Sequence, residues 1–272
     1  MKKVAVRVLS SMVYGPIMLI CAWLGGYVLQ VLLSVVIIFS MHELFIIIRD
    51  HRNVVIRFSF LLIAALIISW IIFFTGLKYV MFLYIFFLFF FVALDVFSNK
   101  ISHSIERISY SMFSLLYLPL MLSFLYLIRT MEHGRFLLII LYGSIWLTDS
   151  AAYFLGAAFG KHKNIFSSSK NKSLEGFVAG FITAFVSVYL LNQLVFLIFG
   201  YFVIYSWLDI LLFGFIVGFL GQLGDLIESI LKRDLEVKDT SNLIPGHGGI
   251  LDRFDSLLIS APFLYLYFSV LG

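Results

Sequence analysis

Charge is what this chain has least of. Asp, Glu, Lys and Arg together make up 12% of its 272 residues, against 62% hydrophobic ones. So few charged side chains cannot cover a water-exposed globule, and a mean hydropathy of +1.07 points to lipid as the solvent. Cysteine is limited to Cys21. One thiol inside an apolar run excludes a disulfide framework and a Cys-rich metal site, and it reads as a small hydrophobe packed in a helix. Proline occurs four times, and there is no repeat, low-complexity segment or soluble linker. Nothing therefore divides the chain, and a single polytopic membrane domain over 1–272 is expected, with N-terminal spans over about 8–128 and a C-terminal half over about 136–271.

Long apolar runs are abundant. Each needs about 20 residues to cross a bilayer, and nine candidates lie near 8–25, 27–48, 58–76, 78–98, 107–128, 136–159, 175–199, 202–226 and 254–271. The expected fold class is thus an all-α integral membrane protein of about nine transmembrane helices. Gly25-Gly26 is almost the whole connection between the first two and marks a tight hairpin. Lys2, Lys3 and Arg7 ahead of an apolar run resemble the start of a signal peptide, but no A-x-A-like site follows, so an uncleaved first span is expected. With the N-terminus in the cytoplasm, 16 of the 19 Lys and Arg fall on the cytoplasmic side; only Lys78, Arg129 and Arg135 fall opposite. The excess of cations in cytoplasmic loops predicts a cytoplasmic N-terminus and an external C-terminus.

The scarce charge is concentrated. Gly224–Asp255 holds seven of the chain's fifteen carboxylates (Asp225, Glu228, Asp234, Glu236, Asp239, Asp252, Asp255), four cations (Lys232, Arg233, Lys238, Arg253) and His247. Asp225, Glu228, Ser229 and Lys232, at offsets 0, 3, 4 and 7, share one helical face. Such a face at the end of an apolar span is costly unless it lines water or protein; the alternative is a solvated helix end with a Glu228–Lys232 surface pair. Pro245-Gly246-His247-Gly248-Gly249 cannot be stable helix, and its glycines permit close backbone approach. Backbone N–H groups of such a loop, followed by a helix start, suit phosphate oxygens. Asp252 and Asp255 follow at once, three residues apart, on what reads as one helical face. Paired carboxylates with phosphate groups are a common way to hold Mg²⁺, and nearby cations can offset charge on a phosphate leaving group. Together these point to phosphoryl or nucleotidyl transfer.

Outside that stretch, Asp149 lies within a strongly apolar run and is a candidate functional acid, the alternative being a hydrogen bond to a neighbouring helix. His42-Glu43 and Asp95, near helix ends, are expected to be structural and to reach the interface or pair with Arg49 or Lys100. Asp209 reads as interfacial on the outer side. The 31 Phe read as lipid-facing and interhelical filler.

Ser229-x-x-Lys232-Arg233-x4-Lys238-Asp239, then Pro245-x-His247-Gly248-Gly249-x-x-Asp252-Arg253-x-Asp255, resembles the signature of the phosphatidate cytidylyltransferases (CDP-diacylglycerol synthases). Gly224-Asp225-Leu226-x-Glu228-Ser229 fits the same pattern. Trp146-x-x-Asp149-x-x-Ala152-Tyr153 and Gly160-Lys161-His162-Lys163 are similar to that family's sixth span and following loop. The family's next element reads Ser-Pro-Lys-Lys-Thr-Trp-Glu-Gly; here it is Ser169-Lys170-Asn171-Lys172-Ser173-Leu174-Glu175-Gly176, a departure that bears on loop geometry and substrate preference.

The resemblance implies that CTP and phosphatidate give CDP-diacylglycerol and pyrophosphate, with the C-terminal half catalytic. It implies metal ligation by Asp225 and Asp252, with Asp255 and Asp149 as further candidates, and Mg²⁺ as cofactor, with one or two ions left open. Lys232, Arg233, Lys238, Asp239, His247 and Arg253 become the catalytic set. Ser169, Lys172, Ser229, Gly246, Gly248 and Gly249 become the substrate-binding set. A homodimer in the bacterial inner membrane, facing the cytoplasm, is expected, with no nucleic-acid partner. Two rivals remain at this point: a CTP-dependent kinase of a polyprenol or similar lipid alcohol, and a cation transporter using Asp95, Asp149 and Asp225 as a relay.

Overall fold

In the computed structural model, described over residues 2–52, 54, 56–98, 102–169, 172–241 and 248–270, with side chains from residue 12 onward, the chain forms nine helical rods. They are α1 Lys2–Leu24, α2 Gly26–Arg52, α3 Phe58–Thr75, α4 Val80–Phe97, α5 Ser104–Thr130, α6 Gly134–Phe159, α7 Leu174–Phe199, α8 Trp207–Asp234 and α9 Asp255–Val270. A short 3₁₀ turn, Leu251–Arg253, precedes α9. Seven rods, α2 to α8, are long and apolar enough to cross a membrane; the apolar part of α1 (Met12–Leu24) and α9 are shorter. Among the described residues each of the nine expected segments overlaps one helix, and seven of these helices are long and apolar enough to span.

The largest boundary difference is at α8. It continues to Asp234, where a span ending near 226 is expected from the loss of apolar character. The extra turns persist because their polar face meets protein rather than lipid, as the buried Glu228 and Ser229 show.

Turn chemistry follows the sequence closely at the first hairpin. Gly25 and Gly26 both take positive φ, +67° and +51°, a region open to glycine at little cost. Arg129 from α5 then closes the end of α1, donating from Nε to Ala22 O at 2.7 Å and from Nη2 to Trp23 O at 3.0 Å. A cation on the last carbonyls of a helix is favourable because those groups have no partner within the helix.

Small residues set a close contact between α6 and α7. Ala152 and Gly156 on α6 face Gly176 and Gly180 on α7, and Gly160 just after α6 meets Ser173. A Cβ on Gly176 would lie 2.7 Å from Ala152 O and 3.0 Å from Gly156 Cα, so the two backbones meet as only glycine allows. Ser173 caps α7 by accepting from Gly176 N at 3.2 Å. At the far end of α7 the buried Asn192 donates to Ile204 O and accepts from Val203 N and Ile204 N, satisfying the connection into α8.

Two rods carry π-helical stretches. Leu116–Leu120 in α5 contains Pro119, whose missing N–H breaks the regular ladder. Ile216–Gly221 in α8 ends immediately before Gln222 and Asp225. Gln222 donates to Phe177 O at 3.1 Å and Gly218 O at 2.5 Å, fastening α8 to α7 beside that irregular turn. By contrast α4 is the least buried of the seven long rods, and Phe82, Phe86 and Phe89 stand outward on it as lipid-facing residues do.

Candidate active site

One end of the bundle gathers the C-terminal halves of α6 and α8, the start of α7, the 3₁₀ turn and the start of α9 around a cavity of about 580 Å³. Its charged lining is Asp149 from α6, Lys163 and Lys172 from the loop before α7, Asp225 and Lys232 from α8, Asp239, Asp252 and Arg253 from the segment after α8, and Asp255 from α9. A second cavity of about 360 Å³ shares Asp149, Asp252, Arg253 and Asp255 with the first. Its other walls are Tyr14 and Gly15 from α1 and Tyr142, Ile145, Trp146, Ser150 and Leu257, so beyond the shared charges it is mostly aromatic and apolar. Trp146 Nε1 donates to Tyr14 OH at 3.1 Å and ties α6 to α1 there.

Of the expected α8 face, Asp225 and Lys232 line the cavity, while Glu228 and Ser229 are buried and do not. Asp225 pairs with Lys172, joining α8 to the loop before α7. Lys232 Nζ donates to Asp252 Oδ1 at 2.5 Å and sits 3.1 Å from Glu228 Oε1. The Glu228 side chain is 1% exposed and that of Asp252 7%, so the lysine is shared by two buried carboxylates. Such charges are tolerable in the interior only when paired. Asp252 Oδ2 also accepts from Gly249 N at 2.7 Å, Thr240 Oγ1 at 2.9 Å and Thr240 N at 3.2 Å. Burial pushes the Asp252 carboxyl up, but the hydrogen bond and charge of Lys232 and the Gly249 N–H outweigh it and hold the group at about 2.

Glycine makes the convergence of α8 and α9 possible. A Cβ on Gly224 would lie 2.5 Å from Asp255 O and 3.1 Å from Ser256 Cα. Because the helices touch at residue 224, Asp225 and Asp255 open into the same cavity. Asp252 and Asp255 do not share one helical face as the spacing suggests. Asp252 belongs to the 3₁₀ turn and Asp255 opens α9, with the break at Phe254 turning both carboxylates to the cavity.

Other expected site residues stand apart from the cavity lining. Arg233 donates to Ser168 O at 3.2 Å and Val237 O at 3.1 Å, bracing two loops against each other. Lys238 is exposed and Ser229 is buried, and neither lines the cavity. Ser169 turns the chain through Ser169 N to Phe166 O and Lys172 N to Ser169 O, both 3.1 Å, which sets the position of Lys172. Gly248 has φ +82°, and a Cβ there would meet Asp252 Oδ2 at 2.6 Å. The close approach at Gly248 and Gly249 is thus to the protein's own carboxylates. Gly246 and His247 lie outside the described residues.

Sequence reasoning missed Glu43. Expected to be structural and to reach the interface or pair with Arg49 or Lys100, it is instead buried on α2 and receives the segment after α8, while Arg49 pairs with Asp50 at 2.7 Å. Asp95, expected near Lys100, takes Arg107 as its partner at 3.0 Å. Gln222 and Thr240 were also unassigned, and both touch the site through hydrogen bonds to the residues that build it. An acid inside the apolar run of α2 was the available signal for Glu43; for Thr240 there was none.

Fold and site together define an integral membrane protein, helical throughout the described rods, with a carboxylate-and-cation cavity between helices at one end of its bundle. A model of the cytidylyltransferase family matches residues 5–271, and the chain belongs to that family. It is 44% identical to a phosphatidate cytidylyltransferase of Staphylococcus saprophyticus over 143 residues, 53% of each chain. It is 47% identical to one of Bacillus subtilis over 121 residues, 44% of this chain and 43% of that one. For one of Haemophilus influenzae the figure is 45% over 145 residues, 51% and 48% of the two chains. The chain spans about half the length of the curated relatives it matches.

Proposed function

We propose that this protein is a phosphatidate cytidylyltransferase, condensing CTP with phosphatidate to CDP-diacylglycerol and pyrophosphate. The observation that carries the reading is the wall of Asp149, Asp252, Arg253 and Asp255 between an ionic cavity and an aromatic one. In this reading the triphosphate enters the ionic side, the lipid the aromatic side, and their phosphates meet at the shared wall. A phosphate oxygen of the lipid attacks the α-phosphorus of CTP, the bond from that phosphorus to the bridging oxygen breaks, and pyrophosphate leaves with the electron pair. The nucleophile is already anionic at neutral pH, so orientation and charge compensation do the work that a strong base does elsewhere.

The donor set fits Mg²⁺. Five carboxylates line one cavity, yet among the described residues no group of three or more His, Cys, Asp or Glu is arranged to hold a metal. Mg²⁺ is commonly bound by one or two carboxylates plus substrate phosphates and water, so a full protein cage is not required. Asp225 and Asp255, adjacent across Gly224, would hold it, with Asp252 and Asp149 beside them. When bound it would withdraw charge from the phosphates as a Lewis acid. Lys172, Lys232 and Arg253 neutralise phosphate charge from the protein side. Lys172 is freed for that role when the charge on Asp225 is otherwise compensated.

We further propose a homodimer in the bacterial inner membrane, with the cavity facing the cytoplasm where CTP is supplied, an orientation favoured by the excess of Lys and Arg on that side. A lipid-alcohol kinase would need a base for a neutral hydroxyl, and a transporter would need carboxylates spread along several spans. The carboxylates lining the two cavities cluster at one end, and Asp95 is committed to Arg107. The test is pyrophosphate release by the purified protein with CTP and Mg²⁺. Release that depends on added phosphatidate is expected, and release indifferent to phosphatidate would overturn the reading.

A further inference from the structure

We infer that Glu43, from a helix in the N-terminal half, is a positioning residue for the turn that carries Asp252 and Arg253. The inference rests on the cytidylyl-transfer reading and adds to it a residue outside the Gly224–Asp255 stretch.

Glu43 is 2% exposed, deep enough that its carboxylate must be satisfied by protein. Four donors surround it. Oε1 accepts from Ser241 Oγ at 2.6 Å and Ile250 N at 2.9 Å; Oε2 accepts from Leu251 N at 3.0 Å and lies 3.2 Å from Thr240 Oγ1. Two of the four belong to Thr240–Ser241 and two to Ile250–Leu251, so one carboxylate gathers two separate stretches of chain. The second stretch opens directly into Asp252 and Arg253, which line both cavities. Thr240 Oγ1 is also 2.9 Å from Asp252 Oδ2, so its single proton is shared between the two carboxylates. Glycine at 249 is part of the same arrangement, because a Cβ there would stand 2.6 Å from Glu43 Oε2.

Only a carboxylate completes this set. The Ser241 and Thr240 hydroxyls can rotate to accept, but the Ile250 and Leu251 N–H groups cannot. In Glu43→Gln, either orientation of the amide turns its NH₂ toward one of those two N–H groups and leaves that donor unpaired. The rod of α2 stays intact, and what is lost is the fixed position of the turn. Misplacement of a reacting group by about 1 Å can cost about 10²-fold in rate.

The experiment compares full-length wild type, Glu43→Gln and Glu43→Asp for kcat, KM for CTP and for phosphatidate, thermal midpoint, and amide exchange at Ile250 and Leu251. Glu43→Asp keeps the charge but draws it back by one methylene, so it cannot hold both stretches at once. For both variants the expected result is a kcat about 10²-fold lower, a raised KM for CTP and for phosphatidate, and faster exchange at the two amides. Unchanged kcat and exchange would overturn the inference. So would a fall in kcat that only tracks loss of folded protein, with both KM values unchanged. If wild type forms no CDP-lipid, the reaction reading fails by itself, and amide exchange still decides whether Glu43 holds the turn.

Discussion

Two ion-pair regions of this molecule look alike in the sequence and differ in space. In one, Arg107 meets Asp95 through Nε at 3.1 and 3.2 Å and through Nη2 at 3.0 Å, and donates further to Ser102 O at 2.6 Å and Ser104 Oγ at 3.0 Å. In the other, Lys172 and Lys232 meet Asp225, Glu228 and Asp252 along a cavity of about 580 Å³. The space beside Asp95 and Arg107 is only about 50 Å³. Guanidinium is a rigid planar fork that engages a carboxylate on two sides, whereas ammonium is a compact charge on a flexible stem. The first pair locks α4 to α5. The second leaves carboxylates and cations facing room for a charged ligand. Open volume, rather than burial or charge, separates the two regions here.

Substitutions can break that comparison, beginning with the largest effect. Asp225→Asn and Asp252→Asn should each lower turnover by at least about 10²-fold while the protein still folds, as steady-state rates on purified variants would report. A near-normal rate in either would remove that residue from the site. Gly224→Val should come next. Its side chain drives α8 from α9 at the Asp255 carbonyl, with an overpacking cost of about 1–3 kcal/mol, seen as a lower thermal midpoint and a rate loss of about tenfold, on the order expected for one displaced contact. Arg107→Met tests the other region. It should lower the thermal midpoint while turnover per folded molecule stays at the wild-type level; a catalytic loss would erase the distinction between the two pairs. Phe86→Ala, on the outward face of α4, should change neither quantity measurably, since that side chain is half exposed to lipid.

Much of this was legible from residue order because membrane helices obey strong local rules. Apolar runs gave nine rods in the right places, and Gly25-Gly26 gave the hairpin. The period-3.6 placement of Asp225, Glu228 and Lys232 gave their common face. What stayed hidden depends on contacts between distant segments. Glu43 lies about 200 positions from Thr240 and Leu251, and no local pattern distinguishes it from an acid that reaches for the interface. Arg233 sits one residue beyond Lys232 in a strongly patterned stretch, yet the helical period turns it away from the cavity and toward Ser168. Gly248 and Gly249 were rightly read as sites of close approach, but the approaching atoms belong to Asp252, Thr240 and Glu43.

The central claim is that the wall shared by the two cavities transfers a cytidylyl group to a lipid phosphate. Position-specific labelling of CTP tests it most directly. With phosphatidate, Mg²⁺ and purified protein, label at the α-phosphate should enter the lipid product while label at the γ-phosphate leaves entirely as pyrophosphate. γ-Label in the lipid, or no transfer of the α-label, would contradict the account.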